Sequence, residues 1–199
     1  DALSSIGEQA FYYCSSIKSA TIPSGITSMK YMAFYGCTAL KSVSLPENLT
    51  SMGERVFYGC TALTSIEIPK TLTQLHYSCF GNCTGLTEIV IPEKVSYCHE
   101  PFNSCSNIKK VTCYASVPPT LYRNYDIITN VDKNNVELLV PAWSVSEYKL
   151  TEGWDDFVNI NALSSEITDI YVTAGKLAFD ETTRPSNEPN VTVSPTGKL

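Results

Sequence analysis

The sequence predicts a solenoid, a stack of near-identical coils that contribute short parallel strands and turns, with a closing segment at the C-terminal end. Three observations carry this expectation. The first is a 23-residue unit whose clearest copy, LTSMGERVFYGCTALTSIEIPKT, fills residues 49–71. Phe11, Phe34, Phe57 and Phe80 fall 23 apart, as do Cys14, Cys37, Cys60 and Cys83, and Phe102 and Cys105 follow one residue early through a single deletion. The second is that equivalent positions stay apolar in all five copies. No unit of this size buries its own apolar face, so neighbours must supply the core. The third is a short alternating segment, Ile-x-Ile, closed by proline.

Within each unit the columns follow in order. Leu3, Ile26, Leu49, Leu72 and Val95 form the first column, and Ile6, Met29, Met52, Leu75 and Cys98 the second. Ala10, Ala33, Val56, Cys79 and Pro101 precede the Phe column. The Cys column and then Ile17, Leu40, Leu63, Leu86 and Ile108 follow it. Ala20, Val43, Ile66, Ile89 and Val111 alternate with Ile22, Leu45, Ile68, Ile91 and Cys113 across a mostly polar residue. That is a period-2 strand, stopped in four copies by Pro23, Pro46, Pro69 and Pro92. With one strand spacing of about 4.8 Å per coil, five coils make a rod roughly 25 Å long.

These residues carry a resemblance. The Leu-x-x-Ile-x-Ile-Pro unit, with the segment from Ile6 to Cys14, resembles the BspA-type leucine-rich repeat of bacterial cell-surface proteins, common in Bacteroidetes and present in some protozoan surface proteins. The resemblance spans residues 3 to about 113. It continues more weakly through Leu138–Pro141, Ser146, Tyr148, Gly153, Trp154 and Phe157, which resemble the closing segment found after such repeats. It implies a leucine-rich-repeat solenoid of the α/β repeat class, mostly short parallel strands and turns, with a C-terminal cap. It also implies a secreted or outer-surface location and adhesion to host matrix proteins or other cells. The fifth copy departs from the pattern: Pro101-Phe102 replaces Ala-Phe, and Cys113 is followed by no proline.

Three segments are expected: five repeats over 1–113, a capping segment over 114–163, and a β-rich tail or start of a further module over 164–199. In the second, 124–135 reads as a polar loop and Val136–Val140 as a final strand added to the stack. Ser144 to Glu147 has the pattern of a capping box opening a short helix through Leu150, and Trp154, Phe157 and Ile160 then fold over the last coil. Trp143 with Trp154 is alternatively a sugar-stacking pair. In the tail, Ile167–Thr173 and Lys176–Phe179 flank Ala174-Gly175 as a hairpin, Glu181–Asn190 reads as a loop, and Val191–Val193 as a third strand. Because the chain opens inside a first copy with no terminal capping unit before it, the expectation is a fragment of a longer protein.

Composition narrows the function. Of 199 residues 43% are apolar and only 17% charged, against roughly 25% charged in ordinary soluble domains, so the exposed face is polar but mostly uncharged. A net charge of −6 and a pI near 4.9 disfavour nucleic acid, whose binders carry a clustered basic stripe. No apolar run approaches the roughly 18–20 residues of a membrane span.

The eight cysteines read as buried thiols rather than a disulfide framework. Five share one column with parallel side chains about 4.8 Å apart, whereas a disulfide brings Cβ atoms to about 3.8 Å with a defined twist. Cys79, Cys98 and Cys113 each replace an aliphatic residue. His76 and His99 share a column near Cys79 and Cys98, a zinc-like composition, but the cysteines face inward and the histidines sit on a turn, so no metal is assigned. No phosphate loop, zincin motif or nucleophile elbow occurs. Asp155 with Asp156, and Glu147 with Glu152, are solvated surface charge or, alternatively, a carboxylate pair for glycoside cleavage. No catalytic residue and no cofactor are assigned, and an enzyme is not expected.

The candidate binding residues are tyrosines. Tyr12, Tyr35 and Tyr58 follow the Phe column and stack over three coils, with Tyr13, Tyr31 and Tyr77 in nearby columns. Tyrosine is a typical interface residue; repeat packing alone also accounts for such a ladder. The outward strand columns, Lys18, Lys41, Thr64, Thr87 and Lys109 with Ser19, Ser42, Ser65, Glu88 and Lys110, form a polar ribbon suited to a protein or glycan, or to water. The expected function is protein binding or adhesion, the partner being host extracellular matrix, a bacterial surface or a glycan. The alternatives are a structural spacer presenting another domain and, third, a glycan-processing accessory.

Overall fold

The computed structural model describes residues 3–124, 126–163, 172–173 and 176–177. The chain divides into two compact units, Asp1–Leu163 and Ser164–Leu199. In the first unit the chain winds through successive coils. The first coil holds β1 (Ser5–Ile6) and β2 (Ser19–Thr21), the second β3 (Ser28–Met29) and β4 (Ser42–Ser44), and the third β5 (Ser51–Met52). β6 (Gln74–Leu75) and β7 (Glu88–Ile91) belong to the fourth, β8 (Tyr97–Cys98) and β9 (Lys110–Cys113) to the fifth. β10 (Thr120–Leu121), β11 (Glu137–Val140) and β12 (Asn159–Ala162) follow, making a parallel solenoid of about seven turns.

Each strand pairs in parallel with its equivalent in the next coil. Ile6 lies beside Met29 and Met29 beside Met52, and Ile89 lies beside Val111 and Val111 beside Leu138. The register is the sequence period itself, because a slip of one residue would turn the apolar column out to water. Ile26, Leu49, Leu72, Leu40, Leu63 and Leu86 are at most 1% exposed and join one continuous core. The Phe column becomes a stack of rings whose centroids lie 4.6, 5.4, 5.7 and 5.3 Å apart from Phe11 to Phe102. In the first coil Phe11 is 36% and Leu3 71% exposed.

Three features differ from the expectation. The coils carry two strand ladders, not one. The second consists of two three-stranded sheets, β1–β3–β5 and β6–β8–β10, with no pairing between β5 and β6; it is two residues wide and has one inward residue per strand, too few for a period-2 signal. In the third coil the expected Ile66-x-Ile68 strand does not form. Both isoleucines remain buried, but the only backbone bond from residues 64–68 to a neighbouring coil is a 3.5 Å contact from the Thr64 N–H to the Lys41 carbonyl. The outward ladder is thus split into β2–β4 and β7–β9–β11–β12.

The third difference is a sixth copy. Leu121 pairs with Cys98 in the second column. The Phe102 N–H donates to the Ile127 carbonyl and the Ser104 N–H to the Thr129 carbonyl, as earlier coils do to the next. Ile128 therefore takes the Phe place and Val131 the Cys place, and Leu138-x-Val140-Pro141 repeats the strand and its proline. Extra residues within this copy break the 23-residue step and hide it from simple periodicity.

Val136–Val140 was expected as the final strand; β11 does pair with β9, but β12 continues beyond it, Leu138 lying beside Ile160. Ile160 is thus a core residue of a further coil, and Trp154 and Phe157 are buried in the same core. The capping box does not form. Residues 142–144 make one 3-10 turn before α1 (Val145–Tyr148), and the Ser144 hydroxyl donates to the Ser116 carbonyl at 2.5 Å instead of capping. In the second unit, β13 (Val172–Thr173) and β14 (Lys176–Leu177) pair antiparallel, Val172 beside Leu177 and Thr173 beside Lys176; the rest of the hairpin expected over 167–173 and 176–179 lies outside the described residues. The expected loop over Glu181–Asn190 and strand over Val191–Val193 lie outside the described residues.

Candidate functional site

The tyrosine strip lies on the turn that follows each member of the short ladder. That turn uses two left-handed positions per coil. One column holds Gln9, Met32, Arg55, Ser78, Glu100 and Arg123, and the other Tyr13, Gly36, Gly59, Asn82, Ser104 and Asn130. Between them the chain points Tyr12, Tyr35 and Tyr58 outward. Tyr12 stacks on Tyr35 at 5.2 Å and Tyr35 on Tyr58 at 5.0 Å, with ring planes 24° and 11° apart. Tyr13 stands edge-on to both Tyr12 and Tyr35, at 4.7 and 5.5 Å. The strip ends at Gly81, where a Cβ would meet the Tyr58 ring at 2.7 Å. Tyr12 and Tyr13 are exposed, Tyr35 and Tyr58 half-buried. Partial burial and the neighbouring phenols push the Tyr35 hydroxyl above its ordinary pKa.

Tyr31 and Tyr77 do not join that stack. They belong to a second strip, built around Arg55, which column reading misses, and His99, which it places only in a column with His76. The Arg55 guanidinium lies over the Tyr77 ring at 5.0 Å and reaches the Tyr31 hydroxyl at 3.5 Å. His99 is held between Tyr77 at 4.8 Å and Tyr122 at 4.0 Å, and Arg123 lies over Tyr122 at 5.2 Å. Desolvation lowers the His99 pKa, against the opposing pull of Glu100 and Glu54. Arg55 and Arg123 share a left-handed column; Arg55 leans to tyrosines of the coils on both sides, whereas Arg123 covers the residue before it, Tyr122. That lateral lean is not legible in a column alignment.

The cysteine ladder is structural. Cys37, Cys60, Cys83 and Cys105 are buried, and each thiol donates to the carbonyl of the Phe in the preceding coil, at 3.1–3.3 Å. Burial pushes the Cys37 thiol up to about 11 and Cys60 and Cys105 to about 12. Cys79 and Cys98 are wholly buried while the two histidines stay half-buried on the turn. Among the described residues no group of three or more His, Cys, Asp or Glu is arranged around a metal position.

The remaining candidates separate. Trp154 is buried and donates its indole N–H to the Pro119 carbonyl at 2.9 Å, whereas Trp143 is 53% exposed, so the two form no sugar platform. Asp156 and Asp126 pair with Lys133 at 2.7 and 2.6 Å, and Asp155 accepts from the Gly153 N–H at 3.0 Å. Glu147 and Glu152 are exposed. On the polar ribbon, Lys110 approaches Glu88 at 3.9 Å. Among the described residues no helix is long and apolar enough to cross a membrane.

Short parallel strands stacked around a Leu, Ile, Phe and Cys core define a leucine-rich-repeat solenoid. This chain belongs to the BspA-type leucine-rich repeat family, whose sequence model matches residues 4–124 in six copies. Similar solved structures include a leucine-rich repeat protein of T. pallidum, 23% identical with a TM-score of 0.55, matched over 79% of this chain and 62% of that one. Another is a leucine-rich repeat protein of Bacteroides ovatus ATCC 8483, at 23% and 0.53 over 72% and 44%. The pneumococcal vaccine antigen PcpA matches at 17% and 0.57 over 74% and 42%. At such identities the likeness shows the fold, and the chain spans less than two thirds of each of these structures. No curated protein sequence matches the chain.

Proposed function

We propose that this chain is a non-enzymatic binding array of a secreted or cell-surface protein, which adheres to host matrix protein, another cell or a surface glycan through Tyr12, Tyr35 and Tyr58. The observation that carries the reading is the stacked, outward-facing tyrosine strip. A ring held by its neighbours loses little side-chain entropy on binding and offers both an apolar face and a hydroxyl. Tyr31 and Tyr77 border a second aromatic strip that would widen the footprint. Membership of a repeat family, together with likeness in fold to PcpA, supports a surface protein-binding role.

The test is binding of the chain to immobilised matrix proteins and a glycan array, beside a variant carrying Tyr12→Ser, Tyr35→Ser and Tyr58→Ser. Loss of binding in a variant with unchanged circular dichroism supports adhesion through the strip. Equal binding by both forms moves the site elsewhere, and binding by neither favours the spacer, in which the coils only present another domain.

A further inference from the structure

We infer that the break in the outward ladder is a second binding site, taking an extended protein segment that alternates lysine or arginine with apolar residues. The site shares no residue with the tyrosine strips. At the third coil, where the outward strand does not form, the surface opens into a groove of about 440 Å³ that reaches Pro92. Its floor is apolar. Ile66 and Val90 lie in it, Tyr114 forms one wall, and Val90 and Tyr114 are 42% and 50% exposed. Its rim is acidic: Glu47, Glu67 and Glu93 line it against a single cation, Lys70. All three carboxylates are exposed, and none is ion-paired among the described residues.

Two physical requirements select the occupant. Unpaired carboxylates around an apolar floor attract a cation whose own flanks are apolar, and an exposed tyrosine ring beside them adds a face for that cation. The second requirement is shape. Residues 64–68 lie between the second and fourth coils with Ile66 and Ile68 in the core and offer no free strand edge, so the occupant lies over the groove rather than within the ladder. An extended segment does so with alternate side chains directed to the acidic rim and to the apolar floor of Ile66, Val90 and Tyr114. A free polyamine or a metal ion would meet the rim but leave the floor unused.

The experiment is calorimetric titration of the full chain with the blocked octapeptide Lys-Val-Lys-Val-Lys-Val-Lys-Val, with the Glu-Val octapeptide and with spermine, at low and physiological salt. The expected result is binding of the first peptide alone. The affinity should weaken at least tenfold in a Glu47→Gln, Glu67→Gln and Glu93→Gln variant, and comparably in Val90→Ser, with smaller losses as salt rises in the charge-neutralised form. These side chains are exposed, so the variants fold, which circular dichroism checks. The Tyr12, Tyr35 and Tyr58 variant should bind the octapeptide as the parent does, which separates this site from the adhesion reading. Absence of binding, equal affinity in the Glu variant, or spermine binding as tightly as the peptide would overturn the inference.

Discussion

At the scale of single residues, the turn that displays the tyrosines depends on backbone positions that most side chains avoid. Gly36 and Gly59 hold φ of +71° and +74°. A Cβ at Gly36 would also stand 2.6 Å from Cδ1 of Tyr13, whereas at Gly59 the nearest atom is 3.8 Å away. Alanine in the left-handed region costs about 1–2 kcal/mol. Gly59→Ala should lose about that much, read from the urea midpoint at constant slope. Gly36→Ala should lose more, because the Tyr13 ring must also move. Equal midpoints for the two variants would show that the Tyr13 ring yields without cost. Tyr13 itself sits at φ +52° in the same column, a strained position retained on the candidate binding face.

At the scale of the element, the cysteine ladder is a row of thiol donors. Each buried thiol closes a Phe carbonyl of the previous coil, so the column serves both packing and polar satisfaction. In the native protein at pH 8 a thiol reagent should label Cys14, the half-buried member, in a fast phase, while the other seven react only on unfolding. Rapid labelling of more than one thiol would mean that the ladder opens locally. Much of this element was legible in the sequence: a 23-residue step places the thiols in parallel, too far apart for bridging. The hydrogen bond was not, since it depends on how far each coil is offset from the last.

At the scale of the whole molecule, the same burial makes the array sensitive to alkali. Cys37, Cys60, Cys105 and Cys113 move from an ordinary value of 9.0 up to about 11, 12, 12 and 11, chiefly through desolvation. The folded state therefore holds protons that the unfolded state releases. Stability contributed by these groups is intact below about pH 9 and falls as pH rises from 9 through 11 to 12. Urea midpoints should be flat from pH 7 to 8.5 and then drop steeply. A Cys60→Ala, Cys105→Ala variant should show a shallower drop from a lower starting stability, and an unchanged slope would assign alkaline unfolding to other groups.

The sequence alone determined the repeat, its inward columns, the proline that stops each strand, and which tyrosines stack. Those follow from a period of 23 residues, because in a stack the neighbour of residue i is residue i + 23 and its side chain must match. Tertiary structure decided what periodicity does not encode. The sixth copy emerged only when Leu138-x-Val140-Pro141 was seen beside β9, since inserted residues erase the step but not the pairing. The opened ladder at Ile66-x-Ile68, in the clearest copy of all, shows the converse: inward side chains can hold their column while the backbone between them makes no ladder. Arg55 reaches Tyr31 and Tyr77 across coils from a left-handed turn, a contact that the column alignment does not encode. Column patterns record burial, whereas hydrogen-bond distance and side-chain lean depend on the offset between coils, which exists only once they are stacked.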